Sequence, residues 1–160
     1  MRNEGEMRMK KVARLLLMLG GVLTASAADP LMGRWNVIPE SVKFPGGGGP
    51  KNIVLKYEAG AGDEVKFTLT GEMNALPYSY SWTAKPDGRK YPVSGQTRAK
   101  EIELQRPASN HAITIHYADG KEIARHDATI SADGSLMKTK SRSVNPEGHQ
   151  TEASSQYRKQ

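Results

Sequence analysis

Lys51-Asn52-Ile53-Val54-Leu55-Lys56-Tyr57-Glu58, then Gly60-Ala61-Gly62-Asp63, then Val65-Lys66-Phe67-Thr68-Leu69-Thr70, is the stretch on which the fold turns. Ile53, Leu55 and Tyr57 alternate with Asn52, Lys56 and Glu58, with Val54 as the exception. Val65, Phe67 and Leu69 alternate with Lys66, Thr68 and Thr70. Period two over six to eight residues describes a strand with one covered and one wetted face. The Gly/Asp cluster between the runs supplies the positive φ and the local hydrogen bonds of a tight turn.

Working outward, the same grammar repeats. Turn chemistry recurs at Pro86-Asp87-Gly88, Asp119-Gly120, Ala132-Asp133-Gly134 and Pro146-Glu147-Gly148. Between these turns the chain predicts strands near 33–37, 51–58, 64–71, 78–84, 99–105, 111–118, 121–131, 135–144 and 149–158. A single helical turn at Pro39 to Phe44, with proline in its first turn, is the only helix expected after residue 27. Pro45-Gly46-Gly47-Gly48-Gly49-Pro50 reads as irregular loop. It lacks the Lys-Ser/Thr and following helix of a phosphate-binding loop. The expected fold is all-β, an up-and-down antiparallel β-barrel of about 8–10 strands, because closure removes exposed sheet edges. A flattened two-sheet sandwich would show nearly the same alternation.

The start of the chain follows different rules. Met1 to Arg14 carries five basic residues, Leu15 to Leu23 is apolar and too short to span a bilayer, and Ala25-Ser26-Ala27 is a small-x-small cleavage site. That is an export signal, expected as a helix over residues 1–27 with the cut after Ala27. Residues 28–160 then form one domain, secreted or periplasmic. Five of the 23 basic and two of the 17 acidic residues fall in the signal, which leaves 18 and 15 and a formal charge of +3. So small an excess argues against a nucleic-acid partner. No second apolar stretch predicts membrane insertion after cleavage. The chain has no cysteine, which excludes disulfides, thiolate metal sites and a cysteine nucleophile.

Gly33-Arg34-Trp35-Asn36-Val37 at the first strand resembles the opening of the lipocalin and calycin group. The order that follows is similar to small exported bacterial lipocalin-like proteins: Ser41-Val42-Lys43-Phe44, a Pro/Gly loop, Tyr91-Pro92-Val93-x-Gly95, Ala132-Asp133-Gly134 and a terminal Tyr157-Arg158-Lys159. The resemblance implies a barrel whose end is closed by the Trp35 indole, with Arg158 packed on it.

Candidate ligand contacts come from the strands. Tyr78, Tyr80 and Trp82 share one face of one strand, where they either stack on a flat ligand or fill the core, the second being the commoner use of such rings. Phe67 belongs with them. If Asp119-Gly120 is a two-residue turn, paired positions across it sum to 239. His126 then joins Ile113, Ile115 and Tyr117 on the interior face, and His116 falls on the other, so the two cannot share an ion. Neither a metal site, a cofactor nor a catalytic constellation is expected. No His-x-x-x-His, paired-carboxylate or Gly-x-Ser-x-Gly pattern occurs. Lys138, Lys140 and Arg142 alternate with Thr139, Ser141 and Ser143 and read as a solvated outer row rather than a polyanion site.

These features predict a non-enzymatic binding protein that holds a small apolar or amphipathic ligand in its barrel. The alternative is an envelope-associated structural or protein-interaction module with a filled barrel. A pocket of about 300 Å³ is the dividing line.

Overall fold

Ten strands follow one another around a closed antiparallel barrel in the computed structural model, which describes residues 28–47 and 49–160. The expected signal segment and its cut lie outside the described residues. The strands are β1 (Gly33–Val37), β2 (Lys51–Ala59), β3 (Val65–Met73), β4 (Leu76–Ala84), β5 (Lys90–Gly95), β6 (Glu101–Ala108), β7 (His111–Ala118), β8 (Lys121–Ile130), β9 (Leu136–Val144) and β10 (Gln150–Lys159). Each pairs with its sequence neighbours, and β10 returns to β1 through Trp35 opposite Lys159 and Val37 opposite Tyr157. Closure decides for the barrel over the sandwich.

One strand more is present than the nine expected. β5 carries Pro92, which lacks the N–H that a central strand donates to its ladder. Its pairing is correspondingly short, with three register positions against β4 and three against β6. Gly95 ends it at φ 105°, where a Cβ would stand 2.6 Å from the Ser79 carbonyl oxygen. Only glycine lets the two backbones approach so closely.

Alternation holds where it was clearest. Ile53, Leu55, Tyr57, Val65, Phe67, Trp82 and Ala84 are all buried in the interior cluster. Val54 keeps the outward parity of β2, half-buried between Asn36 and Thr70 on the neighbouring strands, while the register shifts just before it, where Asn52 takes φ 53°. Two hairpin turns have positive φ at both central residues, Asp119-Gly120 (49°, 75°) and Asn74-Ala75 (53°, 62°). That twist matches the flanking strands.

One end of the barrel is plugged. Trp35 and Leu31 are fully buried, and the Trp35 Nε1–H donates to the Leu31 carbonyl at 2.9 Å. The cation over the indole is Lys159, not Arg158: Lys159 Nζ lies 5.1 Å from the ring centroid and donates to the Pro30 carbonyl at 3.0 Å. Arg158 is exposed, opposite Asn36 on the outward face. Period two explains the correction, since Tyr157 is buried inside and its second neighbour is therefore Lys159. Gly33 sits here at φ 126°, a backbone conformation that side-chain-bearing residues rarely adopt. Asp29 braces the same end with two 3.0 Å bonds from Arg106.

A strap crosses the sheet beyond the C-terminal end of β1. It holds a 3-10 turn at Pro39–Ser41, shorter than the expected Pro39 to Phe44, and another at Pro45–Gly47. Lys43 and Ser154 exchange both backbone hydrogen bonds, and Ser41 Oγ accepts from the Gln156 N–H at 2.8 Å, so β10 holds the strap.

Candidate functional site

β7 and β8 decide what faces the interior. The Asp119-Gly120 turn sets Ala118 opposite Lys121 and Tyr117 opposite Glu122, as the two-residue loop requires. Then Ile123 bulges, and His116 faces Ala124 instead. A one-residue slip moves a strand's side chains to the other face relative to its partner. His126 therefore lies opposite Thr114, and Ala112, Thr114 and His116 line the interior with it.

Two expectations are corrected by that bulge. Tyr117 lies outside: its hydroxyl donates to Glu103 Oε2 at 3.1 Å, and Lys90 Nζ sits 3.8 Å over its ring. His116 and His126 are not on opposite faces. Their rings meet edge to face, with centroids 4.8 Å apart and planes at 72°.

Inside the barrel is a cavity of about 210 Å³ with two unlike walls. The wall on β2, β3 and β4 is apolar and aromatic: Ile53, Leu55, Tyr57, Phe67, Leu69, Tyr80 and Trp82. Phe67 and Trp82 stack at 4.9 Å and 19°, Phe67 and Tyr80 lie 5.7 Å apart, and Tyr80 meets His116 edge-on at 5.8 Å. Tyr78 continues this stripe, 6.1 Å from Tyr80, but sits half-buried outside the cavity.

The opposite wall, on β7 to β10, carries hydroxyls and imidazoles. Thr114, His116, His126, Thr139, Ser141, Ser143, Ser155 and Tyr157 all line it. His126 Nδ1 is 2.8 Å from Ser141 Oγ, Thr139 Oγ1 is 2.8 Å from Ser155 Oγ, and Ser155 Oγ donates to the Tyr157 hydroxyl at 3.2 Å. This wall was missed in sequence because serine and threonine are usually read as outward. The signal lay in the cationic row: Lys138, Lys140 and Arg142 must face water, so Thr139, Ser141 and Ser143 between them face in.

No Asp, Glu, Lys or Arg among the described residues lines the cavity. Removal from water accordingly governs its titratable groups. Burial lowers the His116 pKa to about 3, with the His126 neighbour adding to the effect, and burial lowers His126 to about 4. Both imidazoles are neutral at pH 7. Burial likewise pushes the Tyr57 and Tyr80 phenols up, and they stay protonated.

Among the described residues, one buried donor of a cavity-lining residue is left without a partner, and one lining imidazole makes no side-chain hydrogen bond. The Trp82 Nε1–H has none among the described residues, although Trp82 is only 4% exposed. The only side-chain hydrogen bond at the histidine pair is that of His126 to Ser141, so the His116 imidazole, also 4% exposed, has none among the described residues.

The mouth lies under the strap. Val37, Val42, Phe44 and Pro50 border both the cavity and a shallower recess beneath the strap, and Phe44 rests against Gly49. On the outside, Lys43, Lys140, Arg142 and Arg125 share a cleft with Asp127 and Glu152. Mixed charge in that cleft fits a solvated surface.

No family model matches this chain, and no curated protein matches it.

Proposed function

We propose that this chain is an exported, lipocalin-like, non-enzymatic binding protein whose barrel holds one small amphipathic molecule. The observation that carries this reading is the two-walled cavity, with stacked aromatics on one side and uncharged hydrogen-bonding groups on the other. Apolar pockets with a few convergent polar groups are what ligand sites look like.

Size narrows the ligand. About 210 Å³ falls below the dividing line of roughly 300 Å³, which counts against storage of a drug-sized ligand such as a long acyl chain or a pigment and leaves room only for a smaller guest. A cavity of about 150 Å³ takes benzene. A single substituted ring is therefore the matching scale.

The lipocalin-like reading is supported by the closed barrel and by the Trp35 plug with a cation above it. The non-enzymatic reading is supported by the environment of His126, whose partner is a serine hydroxyl rather than a carboxylate. Export rests on the basic, apolar and small-residue order of residues 1–27, and the small net charge of the remainder favours no nucleic-acid partner. The buried apolar residues of the domain gather in one interior cluster, in keeping with a protein that does not insert into a membrane.

Native mass spectrometry with small-molecule extraction, on protein purified from its own secretion route, tests the proposal. A stoichiometric small molecule with one ring is expected. A ligand-free protein that also takes up no small aromatic compound would shift the reading to a filled barrel acting through its surface.

A further inference from the structure

The His116 imidazole, which lines the cavity without a side-chain hydrogen bond among the described residues, says more about the ligand than the cavity's volume does. A buried donor or acceptor without a partner is unfavourable, and in folded proteins such groups are rare enough to need an explanation. Here His116 lines the cavity with no side-chain hydrogen bond among the described residues, within a continuous run of rings that also line it. That run goes from Trp82 to Phe67, Tyr80, His116 and His126, each centroid between 4.8 and 5.8 Å from the next. A ring lying along the aromatic wall brings its substituents to the polar groups.

Resting on the binding function proposed above, we infer that the His116–His126 pair is the polar anchor of the site and that the ligand is an uncharged, hydroxyl-bearing single aromatic ring of the phenol class. A neutral imidazole presents one donor and one acceptor nitrogen. His116 has both free among the described residues, while Ser141 holds His126 in place. A phenol hydroxyl both donates and accepts, so it satisfies a neutral imidazole where a methyl group cannot. The ring itself meets the offset-stacked and edge-on faces of Phe67, Tyr80 and Trp82.

Charge sets the other limit. An ionised ligand would leave water for a cavity with no charged side chain around it, and an unpaired buried charge is strongly unfavourable. A bound dication meets the same objection, because the two imidazoles bring no anionic ligand with them. The chemistry favours a neutral guest over a carboxylate, an amine or a metal ion.

The test is calorimetric titration of the full-length gene product, processed by its own cell, with p-cresol, p-xylene, benzoate and benzylamine. p-Cresol and p-xylene have the same shape and differ by a hydroxyl against a methyl. p-Cresol is expected to bind about tenfold more tightly, equivalent to about 1.4 kcal/mol, with no measurable binding of benzoate or benzylamine. His116→Leu is expected to abolish the preference for p-cresol over p-xylene while the variant still binds p-xylene, whereas mere disruption of the barrel would weaken both. Should that variant not fold, the p-cresol to p-xylene ratio of the natural protein decides alone. Equal binding of the two would overturn the anchor while leaving the binding function standing. Tighter binding of benzoate would overturn the uncharged class. Binding of none of the four would overturn anchor and binding function together.

Discussion

Acidification from pH 8 to pH 5 is expected to destabilise the barrel through its two buried histidines. The folded-state pKa values of His116 and His126 are lowered to about 3 and about 4, below the ordinary value of about 6.5. Between these limits the unfolded chain binds protons that the folded chain does not, so stability rises with pH across the window and falls as acid is added. By about pH 7.5 neither state is appreciably protonated and the effect vanishes. At pH 5 each imidazole lies about 1.5 pH units below its unfolded pKa, which at about 1.4 kcal/mol per unit gives about 2 kcal/mol. Relaxation around the charged rings offsets part of this, which brackets the pair at about 2–4 kcal/mol. For a domain of this size that lowers the Tm by about 6 °C or more. Ordinary carboxylates titrate near pH 4, so they contribute little above pH 5. Thermal unfolding followed by circular dichroism at half-unit steps is the assay, with the double variant His116→Leu/His126→Leu beside the natural chain. The variant keeps His111 and His149, so the difference in slope belongs to the buried pair. A Tm that is flat from pH 7 to pH 5, or an equal slope in both proteins, would refute the reasoning.

Three further outcomes rest on single side chains. Ala75→Gly should stabilise the fold by about 0.5–1 kcal/mol, because Ala75 holds φ 62° in the β3–β4 turn; the urea midpoint should rise with no change in slope. Gly95→Ala should cost more than about 2 kcal/mol, since its Cβ would meet the Ser79 carbonyl at 2.6 Å and its φ is 105°; a midpoint within error of the natural chain would contradict the β4–β5 packing. Asp29→Ala should cost about 1–2 kcal/mol, because it removes the carboxylate partner of the 13%-exposed Arg106 while Asp29 itself is 37% exposed and Arg106 keeps the Ser109 carbonyl; the same denaturation measurement reads it.

The sequence made the barrel legible through Ile53, Leu55, Tyr57, Val65 and Phe67, where strict alternation coincides with burial. The Asp119-Gly120 turn was legible as well, and its register is kept for two pairs. What no local pattern showed was the bulge at Ile123, a single extra residue that sets His126 beside Thr114 and His116 on the cavity face rather than beside Ile113, Ile115 and Tyr117. Larger β-branched residues on the outer face of β7 made the error natural, because alternation fixes the period of a strand but not which face is covered. Pro92 hid β5 by removing a ladder donor. Arg158 was placed on Trp35 by analogy with a family pattern, while the parity of β10 put Lys159 there instead. Half of the site, Phe67, Tyr80 and Trp82, was therefore readable from an aromatic stripe. The other half is a polar interior, legible only once the neighbouring cations had fixed which way β9 faces.

Methyl and imidazole NMR during titration with p-cresol tests the central claim most directly, that the two-walled cavity is where a small ring binds. Shifts confined to the Ile53, Leu55, Leu69, Ala112 and Ala128 methyls and to the His116 and His126 rings, with the outward Ile113 unmoved, are the predicted result. Absence of shifts at saturating p-cresol, or shifts centred on the outer cleft around Lys43 and Arg142, would contradict it.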